Sequence, residues 1–160
     1  SGIQETIDYG VDRIPAIVVG SNSGSRLKYY GMPSGYEFST IIEDLITISR
    51  KVSPLTLNAR RSLRKLNREV HIQVFVTPSV QHCSIVARLA HAMALESKYI
   101  RADIIEIQEF PGMARLYNVS SVPKTVINEV VQIMGIVSED QLLEKIMELG
   151  YVDFKPGEDV

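Results

Sequence analysis

Alternating apolar and polar blocks predict the secondary structure of the second half of the chain. Residues 70–76 are apolar and β-branched, as in a buried strand, and apolar positions recur at helical spacing over 81–97. A second apolar run predicts a strand at 100–107. The remaining predicted elements are a short helix, two hairpin strands and a terminal helix, at 111–117, 123–127, 130–134 and 138–149. From residue 70 onward the predicted order is therefore β-α-β-α-β-β-α.

The same spacing predicts which side of each helix is buried. Ser53 has the chemistry of an N-cap and Pro54 suits the first helical position, so a linker helix is predicted near 54–68. Its apolar positions at helical spacing are Leu55, Ala59, Leu63 and Leu66. In the helix at 81–97, the residues expected to face inward are Ile85, Leu89, Ala92 and Met93. Each helix is thus expected to pack one apolar side against the core.

A repeated pattern relates the beginning of the chain to its end. Residues 9–19 align with residues 117–127, with Tyr, Val and Pro at matching positions and apolar residues at equivalent ones. Further matches place Gly31, Phe38, Ile42 and Leu45 opposite Gly135, Leu142, Ile146 and Leu149. Turn-forming residues at 20–25 predict a longer hairpin in the first copy, which accounts for the shift in register. Each copy is predicted to run helix end, Pro, strand, hairpin, strand, Gly, helix.

The repeat divides the chain into unequal modules. The first copy supplies only the closing α-β-β-α of the plan, and its opening β-α-β is absent. We therefore predict a partial module at 3–50, a linker helix at 51–69, a complete module at 70–150 and a tail at 151–160. Half a module leaves a sheet edge and a sheet face uncovered. The partial module is therefore expected to share a continuous sheet with its neighbour or to pair with a second chain in a homodimer.

Composition restricts the classes of function. The net charge of −2 gives no overall bias towards nucleic acid, and no apolar run is long enough to span a bilayer. Ser1-Gly2 resembles a cloning remnant, and the N-terminus lacks a signal-peptide pattern, so a cytoplasmic location is expected. No Gly-rich phosphate loop or Ser/His/Asp arrangement is found. We expect no cofactor, no nucleic-acid partner and no membrane partner.

A basic cluster lies on the predicted linker helix. We interpret it as a solvated face or as a contact for an acidic partner. Its members are Arg60, Arg61, Arg64, Lys65 and Arg68.

The single cysteine ends the stretch VTPSVQHC, residues 76–83, between a predicted strand and a predicted helix. Redox enzymes place a reactive thiolate at such a helix start, where unpaired N–H groups and the helix dipole lower the thiol pKa. Two interpretations of Cys83 remain open: a residual reactive thiol, or a buried small hydrophobe. His82 is either a group that lowers the pKa of a neighbouring thiol or an exposed turn residue. His91 lies about 12 Å further along the helix, too far to share one metal ion with Cys83, so no metal site is expected.

Four short motifs occur in order along the second half. They are Thr77-Pro78-Ser79-x-x-x-Cys83 after the buried strand, Arg88-Leu89-Ala90-His91 on the helix, Tyr117-Asn118-Val119-x-x-Val122-Pro123-Lys124 before a strand, and Gly135 before the last helix. Together they resemble the protein disulfide oxidoreductases, tandem thioredoxin-fold, glutaredoxin-like proteins of thermophilic bacteria and archaea. The N-terminal domain of alkyl hydroperoxide reductase flavoproteins is a more distant match. The resemblance implies an α/β thioredoxin fold, a central mixed sheet flanked by helices, with one complete module preceded by a partial one.

The resemblance also implies roles for single residues. In the family, the Pro of the Tyr-x-Val-x-x-Val-Pro motif follows a cis bond and faces the active-site cysteines, which implies cis bonds before Pro123 and Pro15. Family members carry Cys-x-x-Cys. Val80 therefore occupies the position of the nucleophilic cysteine, and Cys83 occupies the resolving position. Without the first sulfur there is no mixed disulfide for Cys83 to resolve, so dithiol turnover through this motif is excluded.

The function hypotheses differ in whether this site is active. The leading one is a disulfide-oxidoreductase-like protein with an inactive site, whose groove beside Val122, Pro123 and Pro15 binds an extended protein or peptide segment by strand-like pairing. The second is an active thiol-disulfide oxidoreductase represented here by a truncated or substituted form. The third is an interaction module that docks on a flavoprotein reductase.

Overall fold

The computed structural model of the protein describes residues 11–19 and 27–150. Its strands are β1 (Ala16–Val19), β2 (Leu27–Tyr30), β3 (Val70–Val76), β4 (Ile100–Glu106), β5 (Lys124–Ile127) and β6 (Val131–Met134). Its helices are α1 (Tyr36–Arg50), α2 (Leu57–Arg64), α3 (Gln81–Glu96), α4 (Pro111–Leu116) and α5 (Glu139–Gly150). From β3 onward this is the predicted β-α-β-α-β-β-α order. The residues of the predicted tail and of the hairpin at 20–25 lie outside the described residues.

One mixed, six-stranded sheet runs through both modules, in the order β1-β2-β4-β3-β5-β6. The central pairs β2–β4 and β3–β4 are parallel, and the outer pairs are antiparallel. The first module joins the second through β2 and β4, with Leu27 opposite Ala102. The expectation of a continuous sheet is therefore confirmed. The module boundaries themselves stay a prediction, because the sheet does not divide at residue 51.

The two faces of the sheet are covered unequally. The larger core contains buried side chains of α1, α2, α3 and α5 together with one face of the strands. A smaller cluster on the other face contains Tyr30, Phe75, Ile105 and Val126, with Phe110 and Met113 at the start of α4 packed against it. The central strand β3 is buried on both faces, which explains its near-continuous apolar sequence and the agreement between its predicted and observed bounds.

The repeat is visible in the backbone geometry. The amide of Gly31 donates to the carbonyl of Pro15 at 2.9 Å, and the amide of Gly135 donates to the carbonyl of Pro123 at 2.8 Å. Both glycines have positive φ, at 124° and 77°. The Ile14-Pro15 and Val122-Pro123 peptide bonds are both cis, as the resemblance implies. The two copies therefore share the cis proline, the antiparallel strand pair and the backbone bond from Gly to Pro.

Two expectations about helices are wrong. Ala92 and Met93 are buried as expected, but Ile85 is 41% exposed, because the first turns of α3 bury Cys83, Val86, Ala87 and Ala90. Ser53 is not the N-cap of the linker helix: α2 begins at Leu57, and the Thr56 side chain accepts from the Ala59 amide. Thr56 also donates to Glu139 at 2.6 Å, a contact that fixes it at the helix start.

Part of the basic cluster is neutralised within the chain. Arg60 and Arg64 both contact the Glu96 carboxylate at the end of α3, at 3.3 and 3.1 Å. The side chains of Arg60 and Arg64 remain 36% and 64% exposed, which agrees with a solvated face, and contact with an acidic partner stays a prediction. None of the helices in the described residues is long and apolar enough to cross a membrane.

Candidate active site

The candidate site is the turn between β3 and α3. β3 ends at Val76, and the Val80 amide donates to the Thr77 carbonyl at 3.5 Å across the turn. Val80 is the N-cap of α3, with an extended backbone, and its side chain is half-buried. An N-cap position exposes a side chain to the unpaired N–H groups and the positive end of the helix dipole. A thiolate would be stabilised there, but the valine has no group to ionise.

Cys83 lies inside the helix and is fully buried. Burial raises the pKa of its thiol, and the negative charge of ionised Glu37 adds to that effect, while a hydrogen bond with the Thr77 backbone opposes it. The thiol is therefore held in its neutral, poorly nucleophilic form at neutral pH. This environment matches the interpretation of Cys83 as a small buried hydrophobe.

The three histidines have separate environments. His82 is exposed in the first turn of α3. His91 is fully buried and contacts the Asp44 carboxylate through Nδ1, while its Nε2 lies 3.3 Å from the carbonyl oxygen of Lys28. His71 Nε2 lies 2.6 Å from Asp103 Oδ2. The two buried or half-buried histidines thus pair with carboxylates that the sequence analysis did not connect to them.

The Val122-Pro123 loop flanks the turn. β5 runs antiparallel to β3 with Lys124 opposite Phe75, which places Pro123 beside the end of β3. Pro123 is buried and Val122 half-buried, and Val122 packs against the same core cluster as Val80. Val122 precedes the first paired residue of β5, so its backbone lies outside the ladder. The predicted site residues therefore lie together near the C-terminal end of β3. They are Val80, Cys83, Val122 and Pro123.

Pro15 does not belong to that groove. It is exposed before β1, and the strands β2, β4 and β3 separate β1 from β5. At about 4.8 Å between neighbouring strands, Pro15 and Pro123 are about 19 Å apart across the sheet. The two prolines are equivalent in the repeat and lie at the same end of the strands. Because they are four strand positions apart, they cannot contact the same peptide residue.

Sequence reasoning missed Glu37, in the first turn of α1. The hydroxyl of Tyr29 donates to Glu37 Oε2, while Oε1 is buried with no hydrogen-bond partner among the described residues. Burial, together with the nearby charges of Glu106 and Glu109, raises the pKa of Glu37 to about 8. Glu37 shares the buried side of α1 with Thr40, Ile41 and Asp44. Polar residues at that helical spacing are the signal that could have identified it.

Close backbone contacts hold Glu37 against the turn. Gly35 has φ +55°, and a Cβ at this position would lie 2.9 Å from the carbonyl oxygen of Pro78. A Cβ at Gly31 would lie 2.8 Å from the Cβ of Glu106. The Met32 amide donates to Glu109 Oε2 at 2.8 Å. The loop from Gly31 to Gly35 therefore lies close to the turn before α3 and to Glu106 and Glu109.

Comparisons with known proteins support a thioredoxin fold. The family model described as "Thioredoxin domain" matches residues 70–148. A thioredoxin from Methanocaldococcus jannaschii is 30% identical over 79 residues, which is 49% of this chain and 93% of that protein. The F component of alkyl hydroperoxide reductase from Pseudomonas aeruginosa is 23% identical over 120 residues, covering 75% of this chain. The chain spans about a quarter of that relative's length.

A solved structure extends the similarity to the first module. The crystal structure of a protein disulfide oxidoreductase from Aeropyrum pernix matches with a TM-score of 0.87 and 27% identity. The match covers 94% of this chain and 66% of that chain. The similarity to this solved protein therefore extends well beyond residues 70–148.

Proposed function

Since the chain belongs to the thioredoxin family, we propose that it is a disulfide-oxidoreductase-like protein whose site binds an extended peptide segment without dithiol turnover. The observation that carries this proposal is Val80 at the N-cap of α3, in front of a fully buried Cys83. The N-cap is where an attacking thiolate would gain most from the helix dipole. A thiol one turn further into the helix and inside the core cannot replace it.

The chemistry of disulfide exchange explains why one buried thiol is insufficient. A thiolate attacks a substrate disulfide, forms a mixed disulfide and displaces the other substrate sulfur. A second thiol then attacks the mixed disulfide, releases the reduced substrate and leaves an intramolecular disulfide. Cys83 can perform neither step alone, because burial keeps it protonated and sterically shielded.

Peptide binding needs only the groove. Val80 and Val122 are both half-buried and provide apolar contacts at the site. The Val122 backbone lies outside the β5 ladder, so an extended segment can pair with it as an added strand. Such pairing provides affinity through main-chain hydrogen bonds, while the apolar contacts select neighbouring side chains.

The binding experiment uses fluorescently labelled insulin B chain as an extended peptide probe. We expect saturable binding, weakened about tenfold or more by Val122→Asp, because each tenfold change corresponds to about 1.4 kcal/mol. The matched control is Val130→Asp: Val130 is 73% exposed and lies in the hairpin between β5 and β6, away from the groove. Absence of saturable binding, or equal loss in both variants, would reject the peptide-binding function.

A docking role on a flavoprotein reductase is the second candidate. The similarity to the F component of alkyl hydroperoxide reductase, which covers 75% of this chain, favours it. The test uses the F component of alkyl hydroperoxide reductase from which the region similar to this chain has been deleted. Binding of this chain to that truncated reductase is then measured. Saturable binding that insulin B chain does not displace would favour docking, whereas no binding would leave the peptide-binding function alone.

A further inference from the structure

A long groove runs between α1 and α3 on the side of the larger core. It consists of two cavities, of about 500 Å³ and about 300 Å³, whose walls are described residues of the helices α1, α2, α3 and α5 and of the loops before α2 and α5. The cavities share one stretch of wall, formed by Thr47, Pro54, Ala92 and Leu95. Cavities of this size are typical of small-molecule sites. Because they adjoin along this wall, they can hold one elongated molecule.

Helix α3 gives the groove its direction and its length. Ile85 and Leu89 line the larger cavity, and Glu96 lines the smaller one. Their spacing places them on one side of the helix, from its first turns to its last. The helix rises about 16 Å between Ile85 and Glu96. The groove is therefore about as long as an extended hydrocarbon chain of medium length.

The larger cavity is the apolar end of the groove. Ile85 and Ile136 are 41% and 54% exposed, and Leu89 is half-buried, so large apolar side chains from two different elements meet solvent here. Leu55 and Val137 contribute buried apolar side chains to the same cavity. Apolar surface of this kind gains free energy when a hydrocarbon chain replaces the water in contact with it.

Two of the carboxylates at the apolar end are held by other groups of the chain. Asp44 is paired with the fully buried histidine of α3, and Glu139 accepts from the amide and the hydroxyl of Thr56. Glu43 and Arg88 are both exposed and add one charge of each sign. This end therefore presents little net charge to a ligand.

The smaller cavity is the basic end of the groove. It is lined by Lys51, just past the end of α1, and by Arg60 and Arg64 of α2. Arg60 Nε and Arg64 Nη2 contact the same oxygen of Glu96, so two guanidinium groups share one carboxylate. Each guanidinium has further N–H donors, and the Arg64 side chain is 64% exposed. Three cationic groups therefore surround one carboxylate, which leaves this end positive and suited to an anion.

We propose that the groove binds an aliphatic carboxylate. Its hydrocarbon chain lies against Ile85, Leu89 and Ala92, and its head group contacts Arg64 and Lys51. A guanidinium group matches the planar, two-oxygen geometry of a carboxylate. A peptide helix does not fit, because a helix as long as the groove occupies more than about 1,000 Å³.

The groove is separate from the proposed peptide-binding site, since neither Val80 nor Val122 lines it. It gives a role to Arg64 of the basic cluster, whereas Arg61 of the same helix does not line it. Loss of either function therefore leaves the other one measurable.

Isothermal titration calorimetry of the full chain with dodecanoate, below its micelle-forming concentration, tests the site. We expect saturable binding of a single molecule per chain, and octanoate should bind about a hundredfold more weakly because it buries fewer methylene groups. Dodecyltrimethylammonium has the same chain with a cationic head, and it should show no saturable binding. Absence of saturable dodecanoate binding, or equal affinity for the cation, would overturn the proposal. Tighter binding of dodecyl phosphate than of dodecanoate would reject the carboxylate as the head group.

Two matched pairs of variants test the two ends of the groove. Arg64→Gln should weaken dodecanoate binding about tenfold, because it removes a charged partner of the head group. Its control is Arg61→Gln, at an exposed position of the same helix outside the groove, which should bind like the unaltered protein. Ile85→Asp should weaken binding about tenfold or more, whereas Leu116→Asp, at a position 70% exposed at the end of α4, should not. Circular dichroism checks that the variants are folded, and equal effects within either pair would overturn the proposed position of the ligand.

Discussion

Asp44 of α1 and His91 of α3 form a buried pair that joins the two helices. The pair contacts through His91 Nδ1, and both side chains are shielded from solvent. Removing one partner leaves the other buried without compensation, which typically costs about 3 kcal/mol or more. We therefore expect Asp44→Leu and His91→Leu each to lower the free energy of unfolding by about that amount in urea titrations.

The double variant distinguishes pairing from simple loss of volume. Asp44→Leu/His91→Leu should be less destabilised than the sum of the single changes by about 1 kcal/mol or more, because no unpaired polar group remains. Ser49→Ala, on an exposed position of the same helix, should change stability by less than about 0.5 kcal/mol. Strict additivity of the two leucine substitutions would contradict the buried-pair account.

Glu37 should make the stability of the protein depend on pH. Its pKa is raised from 4.5 to about 8 in the folded protein, so the folded state retains a proton that the unfolded state releases. The contribution of Glu37 to stability is therefore fully present below about pH 4.5 and is lost at about 1.4 kcal/mol per pH unit as pH rises towards about 8. Urea unfolding at several pH values in this window measures the slope.

Glu37→Gln provides the control for this slope. Glutamine can still accept from the Tyr29 hydroxyl but cannot ionise, so the variant should lose most of the pH dependence and be more stable than the unaltered protein at about pH 8. Equal slopes for the two proteins would assign the pH dependence to other groups.

Val80→Cys should restore the missing chemistry. The new thiol would lie at the N-cap of α3, where the helix dipole favours its thiolate, one turn before Cys83. We expect the variant to accelerate the reduction of insulin by dithiothreitol, and the unaltered protein to match the buffer rate.

Two comparisons complete this test. Val80→Cys/Cys83→Ser should lose the gained activity, because the mixed disulfide is no longer resolved. A folded but inert Val80→Cys variant would show that the groove differs from an active site by more than one residue. Turnover by the unaltered protein would favour the active-oxidoreductase hypothesis.

The N-cap of α2 gives a sharp local test. Thr56→Ala removes the two bonds of the hydroxyl, to the Ala59 amide and to Glu139, and keeps the bond from the Thr56 amide to Glu139, so it should cost about 1 to 2 kcal/mol in free energy of unfolding. Ser53→Ala should cost clearly less, since Ser53 accepts only from the Leu55 amide at 3.2 Å. A larger loss of stability for Ser53→Ala than for Thr56→Ala would show that Ser53 is the N-cap, as the sequence predicts.

Alanine substitutions at Gly35 and Gly112 should change the stability of the protein in opposite directions. Gly35→Ala places a Cβ 2.9 Å from the Pro78 carbonyl at a φ of +55°, so it should destabilise the protein by about 2 kcal/mol and disturb the turn before α3. Gly112→Ala has no neighbour within 4 Å and lies in α4, so it should stabilise by about 0.5 to 1 kcal/mol. Thermal unfolding of both variants would check the opposite signs.

Secondary structure was predictable where the periodicity was strong. β3 was predicted with its observed bounds because both faces of this strand are buried, which leaves an uninterrupted apolar run. The inward side of α3 was predicted incorrectly at Ile85, since a helix with apolar residues on most of its surface does not fix its own rotation. The cap at Thr56 depends on Glu139, which is 83 residues away in sequence.

The candidate site was only partly predictable for a related reason. Val80, Cys83, Val122 and Pro123 belong to local motifs, and their placement follows from strand–turn–helix order. Glu37 reaches the site through the pairing of β2 with β4, which joins residues far apart in sequence. Local patterns contain no information about that pairing, so the buried carboxyl could not be connected to Cys83.

The parallel pairing of β2 with β4 limits where this chain can be cut to make fragments or fusion proteins. The repeat suggests a natural cut near residue 51, yet backbone bonds of the sheet and the Asp44–His91 pair cross it. A fragment that begins after this cut would carry a bare β4 edge, which favours aggregation. The repeated unit of the sequence and the unit joined by the sheet therefore have different boundaries, and a fusion that borrows residues 70–150 exposes the β4 edge that β2 covers in this chain.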